Sequence, residues 1–241
     1  MIMHQLANKG YAILAAIGLL LTTSPALADE PVLGVAEFKN ESGAGWWGGG
    51  VGWDLSGMLA NELASIGAFR VVERSNLEAV LNEQDLGASG RVRPDTAARI
   101  GQLTGAEYIV LGTITAYDEQ TRSTGGGISF RGIGIGGRKT EAYLAVDLRV
   151  VDANNGEIAY ARTIEGRAGG GGINLSAYRG GFGGNLSNYE DTPAGEAIRA
   201  ALMEITDYLE CAMVIQSNRC LSKYEERDDT RRERTRSRLR F

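Results

Sequence analysis

Chemistry at neutral pH calls for an imidazole, an activated thiol, paired carboxylates or a metal cage. This chain has one histidine, His4, and it lies in a stretch that reads as an export leader. Without it there is no Ser–His or Cys–His nucleophile pair, no ordinary general base and little to hold a transition metal. The two cysteines, Cys211 and Cys220, stand nine positions apart. In an exported chain that spacing reads as a disulfide pinning the end of the last helix to the segment behind it, with a pair of free buried thiols as the alternative. Glu37, Glu73 and Glu83 are the candidates for a carboxylate-only hydrolase, yet each fits a solvated or salt-bridged residue better. Gly132-x-Gly134-x-Gly136-Gly137 imitates a dinucleotide fingerprint, but a strand follows it instead of a helix and no acid is placed for a ribose. The sequence thus offers no catalytic, cofactor or metal site and points away from an enzyme.

The leader is residues 1–28. Lys9 supplies the positive start, Tyr11 to Leu21 the apolar run, and Ala26-Leu27-Ala28 the small-x-small cleavage site. The run is too short to span a membrane as a helix. Cleavage leaves Asp29 first, with no cysteine nearby to carry a lipid, so export to the periplasm or outer membrane without lipidation is expected. Losing Lys9 leaves 24 basic against 30 acidic residues in a mature chain of 213. That length supports one domain with a sizeable core. From Lys223 onward eight basic residues meet five acidic ones, a tail that reads as a solvated arm or frayed helix. The acidic body has no basic face for nucleic acid.

The elements that would carry a site read as an α+β domain. Val32 to Phe38 is a buried strand, followed by a glycine- and tryptophan-rich loop from Ser42 to Trp53. Leu55, Met58, Leu59, Leu63 and Ile66 recur at helical spacing up to Gly67. Phe69 to Val72 is a short strand. Ser75-Asn-Leu-Glu78 has the form of a capping box, and Pro94 to Thr104 reads as a further helix stopped by Gly105. Tyr108 to Tyr117 and Ala142 to Val151 are strands, the latter with Leu144, Val146, Leu148 and Val150 on one face. Asn154-Asn155-Gly156 turns the chain back through Ile158, Tyr160 and Ile164. Thr192-Pro193 opens a last helix with Ile198, Ala201, Leu202, Ile205 and Leu209 as its buried stripe. The sum is a small sheet with three to four helices.

Two glycine-rich stretches do not fit such a core: Ser123 to Gly137 and Gly166 to Gly184. Glycine brings no side chain to pack and weakens a strand. Ile128 and Phe130 share one parity and Ile133 and Ile135 the other, the switch that a turn or bulge produces. Ile173, Leu175 and Ala177 alternate with Asn174 and Ser176, and Phe182 follows. Apolar outside and polar inside is the pattern of a transmembrane β-strand of about 9–11 residues. Residues 118–150 and 157–190 each hold enough chain for a hairpin of two such strands. The same composition describes two flexible glycine loops on a soluble domain, and at this level both readings stand.

From Val32 to Leu209 the sequence resembles the curli-secretion channel family of CsgG and HfaB, on several ordered motifs. They are Val71-Val-Glu-Arg74-Ser-Asn-Leu77, Glu83-Gln-Asp-Leu-Gly-Ala-Ser89 and Gly105-Ala-Glu-Tyr-Ile-Val-Leu-Gly112. Phe130-Arg-Gly-Ile-Gly-Ile-Gly136, Ala145-Val-Asp-Leu-Arg-Val-Val-Asp152 and Asn155-Gly-Glu157 complete the set. The resemblance implies a periplasmic domain, assigned to residues 29–222, with two β-hairpins per protomer; the charged tail over 223–241 is read from its composition and departs from the family. Such hairpins would assemble into an outer-membrane barrel that exports unfolded polypeptide. Four strands cannot close a barrel, and an open edge in lipid costs several kcal/mol per unpaired group. Membrane insertion therefore requires a ring-shaped homo-oligomer with head-to-tail contacts. The resemblance also places a pore constriction in the Ser42–Trp53 loop, where Trp46 and Trp47, expected to be exposed, and Asn40 are the candidates; the alternative is that one of the two tryptophans caps the core edge. It implies an exported polymer subunit as cargo, with a periplasmic accessory protein as a possible partner. The alternative is a soluble periplasmic protein-binding or adaptor module on the same scaffold.

Overall fold

The computed structural model describes residues 30–123, 129–130, 133–134, 138–169 and 192–239. The apolar run after Pro31 forms β1 (Val32–Val35), buried at every residue, and the two-residue β2 (Lys39–Asn40) follows. Helix α1 (Val51–Ser65) sends Leu55, Met58, Leu59 and Leu63 into the core. Strand β3 (Arg70–Val72) returns parallel to β1, and α2 (Leu77–Ala88) comes next. The second half of the chain is a long antiparallel meander of β4 (Tyr108–Ser123), β7 (Arg138–Asp152) and β8 (Ile158–Ala168). Two short strands, β5 (Ser129–Phe130) and β6 (Ile133–Gly134), pair with each other between β4 and β7.

The sheet runs β3-β1-β4-β7-β8, with β2 also paired to β4. Its parallel half, β3, β1 and β4, is linked through helices. Its antiparallel half turns directly at Asn154-Asn155-Gly156, as the turn sequence demands. Helix α3 (Pro193–Leu209) packs across β7 and β8 and buries Ile198, Ala201, Leu202, Ile205 and Leu209. The Thr192 hydroxyl accepts from the Gly195 N–H at 3.2 Å, and Pro193 fills the first turn. On β7, Leu144, Val146, Leu148 and Val150 all face this core. Gly166 of β8 lets α3 settle close: a Cβ there would collide with the Ala197 carbonyl and the Ala201 backbone.

A π-helical turn, Glu210–Ile215, continues α3, and Cys211 is bonded to Cys220 in the first turn of α4 (Asn218–Arg238). Helix α4 runs across the 222/223 boundary expected between domain and tail. Tyr224 is buried against Tyr208, so the tail is anchored to the domain instead of leaving it as a frayed arm.

Two local expectations fail. Pro94 to Thr104 forms turns and irregular chain, not a helix. Its apolar side chains Ile100 and Leu103 remain 64% and 46% exposed, so no burial offsets the cost of nucleating so short a helix. The capping box at Ser75 also does not form. The Ser75 hydroxyl donates to Ser56 Oγ on α1 at 3.2 Å, while Glu73 accepts from the Asn76 N–H at 2.7 Å. A tertiary contact has taken the side chain that the local motif needed.

Candidate functional site

The β4–β7 ribbon changes character along its length. Near its base Ile114 faces Val146, and a bulge at Thr115 then brings Ala116 opposite Ala145 and Tyr117 opposite Leu144. Without that extra residue Tyr117 would point away from the core face; the bulge keeps it there. The ladder continues outward from Asp118–Tyr143 to Ser123–Arg138. Beyond it Ser129 pairs with Gly134 and Phe130 with Ile133, leaving only Arg131 and Gly132 between the arms. The parity switch between Phe130 and Ile133 thus coincides with the reversal of the chain.

The expected 118–150 hairpin therefore holds two kinds of strand. Residues 142–150 bury core side chains, whereas Asp118, Glu119 and Gln120 are exposed and polar. Their side chains bond along the strand: the Tyr117 hydroxyl donates to Glu119 and the Gln120 amide to Asp118, both at 2.6 Å. Likewise Ile164, Gly166 and Ala168 of the expected 157–190 hairpin lie beneath α3. Ile128, Ile135, Ile173, Leu175, Ala177 and Phe182 lie outside the described residues, as does the leader.

The charges around the glycine-rich stretches follow a pattern of their own. Residues 123–130 and 132–137 carry no charge and flank a single Arg131, with Arg122, Arg138 and Lys139 at the base. The second stretch repeats the layout. Residues 168–178 and 180–189 are uncharged around Arg179, bracketed by Arg167 and Glu190.

The tryptophan loop sits where the ribbon leaves the body. Trp46 is 7% exposed, 5.6 Å from Tyr117 in an edge-on pair and 5.8 Å from Trp47. This corrects the expectation of two exposed tryptophans: the bulge presents Tyr117 as a platform, and Trp46 covers it. Trp47 is half-buried against the same core, and Trp53 is exposed. The Trp46 indole N–H is buried with no acceptor among the described residues. The Asn40 carboxamide oxygen accepts from the Ser42 N–H at 2.9 Å and from its hydroxyl at 2.7 Å, closing the loop's first turn. Trp46 and Trp47 thus meet in this loop, with only the second turned partly outward, while Asn40 stands at the end of β2 and holds Ser42 at the loop's start.

A second polar centre, unforeseen from sequence, fastens α4. Arg162 of β8 lies between the Tyr208 and Tyr224 rings, 5.2 and 5.0 Å from their centroids. It donates to the Tyr224 carbonyl and pairs with Asp228 at 3.4 Å, which also holds Arg231 at 3.2 Å. Burial raises both tyrosine hydroxyls; for Tyr224 the carboxylates Glu204 and Asp207 raise it further, so both rings stay neutral. Beyond this lock, a cleft of about 720 Å³ opens between the ribbon and the far half of α4, lined by Glu141, Tyr143, Arg167, Arg234 and Arg238.

Glu37 and Glu73, in two separate connections, and Glu83, on α2, are all exposed, and none lines this cleft or the two of about 460 and 450 Å³ beside it. Among the described residues no group of acids, cysteines or histidines is arranged to hold a metal.

Residues 16–239 match the family model of the curli production assembly/transport component CsgG. The chain is 29% identical over 148 residues to the curli production assembly/transport component CsgG of Salmonella typhimurium, covering 57% of this chain and 53% of that protein. It is 31% identical over 154 residues to a Neisseria meningitidis serogroup B protein whose name calls it a lipoprotein, covering 63% and 60%. The chain thus spans about half the length of the curated relatives it matches. Among solved structures, the hypothetical protein CT253 of Chlamydia trachomatis aligns with a TM-score of 0.41 at 16% identity, over 76% of this chain and 96% of that one.

Proposed function

The chain belongs to the curli production assembly/transport component CsgG family, and from that premise we propose an oligomeric, non-enzymatic secretion pore or pore-like anchor in the outer membrane. Its cargo on this reading is an unfolded subunit of an extracellular polymer, such as a curli-like fibre, delivered with or without a periplasmic accessory protein. The relatives' name, a transport and assembly component, supports the class of activity.

The observation that carries the reading is the division of the ribbon. Past the exposed Asp118–Gln120 segment and Glu141, residues 121–130 and 133–140 supply arms of ten and eight around Arg131 and Gly132. That is close to the length of a spanning strand, roughly 9–11 residues. Charges gather at the base and at the tip, where headgroups and water can solvate them, and the stretch between has none. A charge on a lipid-facing strand costs about 2–4 kcal/mol at the midplane, so this distribution is what insertion requires. The second glycine stretch has the same layout in sequence.

Insertion dictates assembly. Two hairpins leave two open edges, and in hydrocarbon each unpaired N–H or C=O costs several kcal/mol. Neighbouring copies are the available partners, which makes a closed ring the working form. One tryptophan loop per protomer would then stand at the foot of the barrel. Trp46 anchors it, Asn40 fixes its entry turn, and Trp47 is the side chain free to narrow the opening.

Negative-stain imaging of detergent-extracted, full-length protein tests the proposal. Rings with a central hole in outer-membrane fractions are expected. A monomer recovered from the periplasm without detergent would refute the pore and leave a soluble adaptor module on the same scaffold.

A further inference from the structure

The cleft between the ribbon and the far half of α4 has one wall from the sheet and one from the helix. On the sheet side Gln120 pairs with Glu141, and Asp118, Tyr143 and Arg167 form the next row inward on the same face. They alternate along their strands with Ala142, Gly166 and Ala168, which turn toward α3, so the cleft lies on the face that α3 leaves open. On the helix side Arg231, Arg234, Thr235 and Arg238 follow at i, i+3, i+4 and i+7, a single stripe of α4. The lock at Arg162 keeps that helix on β8.

Most charges in the cleft already have partners. Arg167 pairs with Glu165 at 2.9 Å and stands 4.9 Å from the centroid of Tyr143, whose hydroxyl donates to Glu165 at 3.1 Å. Asp118 accepts from the Gln120 amide, and Arg231 pairs with Asp228. Three charges are left over. Glu141, Arg234 and Arg238 line the cleft, and their side chains make no ion pair or hydrogen bond among the described residues. Arg234 and Arg238 are one helical turn apart, about 5–6 Å between Cβ atoms, so both guanidinium groups can reach the oxygens of one phosphate.

The place of the cleft matters as much as its charges. Gln120–Glu141 is the last rung before Thr121–Thr140, where the stretch proposed to enter lipid begins. Gly169, also in the lining, is the last described residue before the second glycine-rich stretch. On the pore reading the cleft therefore stands at the periplasmic boundary of the membrane, at the level of the headgroups. Leu239, exposed beside the arginines, adds an apolar contact.

We infer that this cleft binds the headgroup of a zwitterionic aminophospholipid, with the phosphate on Arg234 and Arg238 and the primary ammonium on Glu141. Two free cations and one free anion complement a phosphate followed by an amine. A headgroup without an amine would leave Glu141 facing an anion, and a choline ammonium has no N–H to donate to it. This rests on the pore reading, since only an inserted ribbon brings a leaflet to the cleft.

Native mass spectrometry of detergent-extracted, full-length protein tests the site after equilibration with equal amounts of phosphatidylethanolamine, phosphatidylcholine and phosphatidylglycerol. The ethanolamine lipid should be retained at least about tenfold over either of the others. Arg234→Gln with Arg238→Gln should lower its retention at least about tenfold while the thermal transition stays in place. Glu141→Gln should remove the preference and leave retention of phosphatidylglycerol no weaker than in the parent. Added inorganic phosphate should displace none of the lipid. Equal retention of the three lipids, unchanged retention in the arginine variant, or displacement by phosphate overturns the site, and rings in the same preparation would leave the pore standing. Absence of rings from the unmodified protein overturns both.

Discussion

From Tyr108 to Tyr117, strand β4 is paired with β7 and buries Val110 and Ile114 in the one core; from Asp118 outward the same strand is polar and then glycine-rich. Both halves keep antiparallel register with β7, so backbone pairing alone does not distinguish them. What differs is where stabilisation comes from. The inner half buries Ile114, Leu144, Val146 and Leu148 within one chain. An isolated two-stranded ribbon is marginal in water, so the outer half needs a supporting surface of another kind, which the pore account finds in lipid and in adjacent copies.

The two halves should break differently. Leu148→Asp, at a side chain 1% exposed, should cost at least about 4 kcal/mol and prevent folding, as read by loss of a cooperative thermal transition. At the β8 edge Arg162→Ala removes the lock on α4. It should cost about 2–4 kcal/mol and expose the α4 arginines to trypsin while the body stays resistant. Cys220→Ser opens the Cys211–Cys220 link at the same joint and should cost about 2–3 kcal/mol in denaturant titration, with α3 retained. Deleting Gly125 to Gly137 from the outer half should cost the fold under about 1 kcal/mol, yet abolish rings.

The smallest effect concerns pH. Burial, then the Asp207 carboxylate, raises the pKa of Glu62 on α1. A raised folded-state value means that the charged form opposes folding: the native state is favoured below that pKa and loses this contribution as pH rises through it. Glu62→Gln should therefore stabilise the chain by about 0.5 kcal/mol or less at pH 7, and the gain should vanish toward pH 4. A variant less stable than the parent at pH 7 would contradict this sign.

Much of the inner half is legible in the sequence because local and tertiary demands agree there. The Thr192–Pro193 start, the α3 stripe and the Asn154-Asn155-Gly156 turn are each set by neighbours in sequence, and the fold uses them unchanged. Misreadings fall where a distant contact decides. Ser75 leaves its motif for Ser56, and Trp46 is drawn in by a Tyr117 that only an unforeseen bulge turns inward. The charged tail becomes a docked helix because Arg162, 62 positions earlier, places a cation between two tyrosines. For the outer half the readable signal was the spacing of charges rather than the alternation of apolar residues, because glycine dilutes the alternation.

The central claim is that residues 121–140 cross lipid. Single spin labels placed at each position from Thr121 to Thr140 in outer-membrane vesicles, read for access to oxygen and to a water-soluble nickel chelate, test it most directly. The account predicts a period-two alternation between oxygen and chelate access along both arms, with chelate access restored at Arg131. Uniform chelate access along the whole stretch would contradict it.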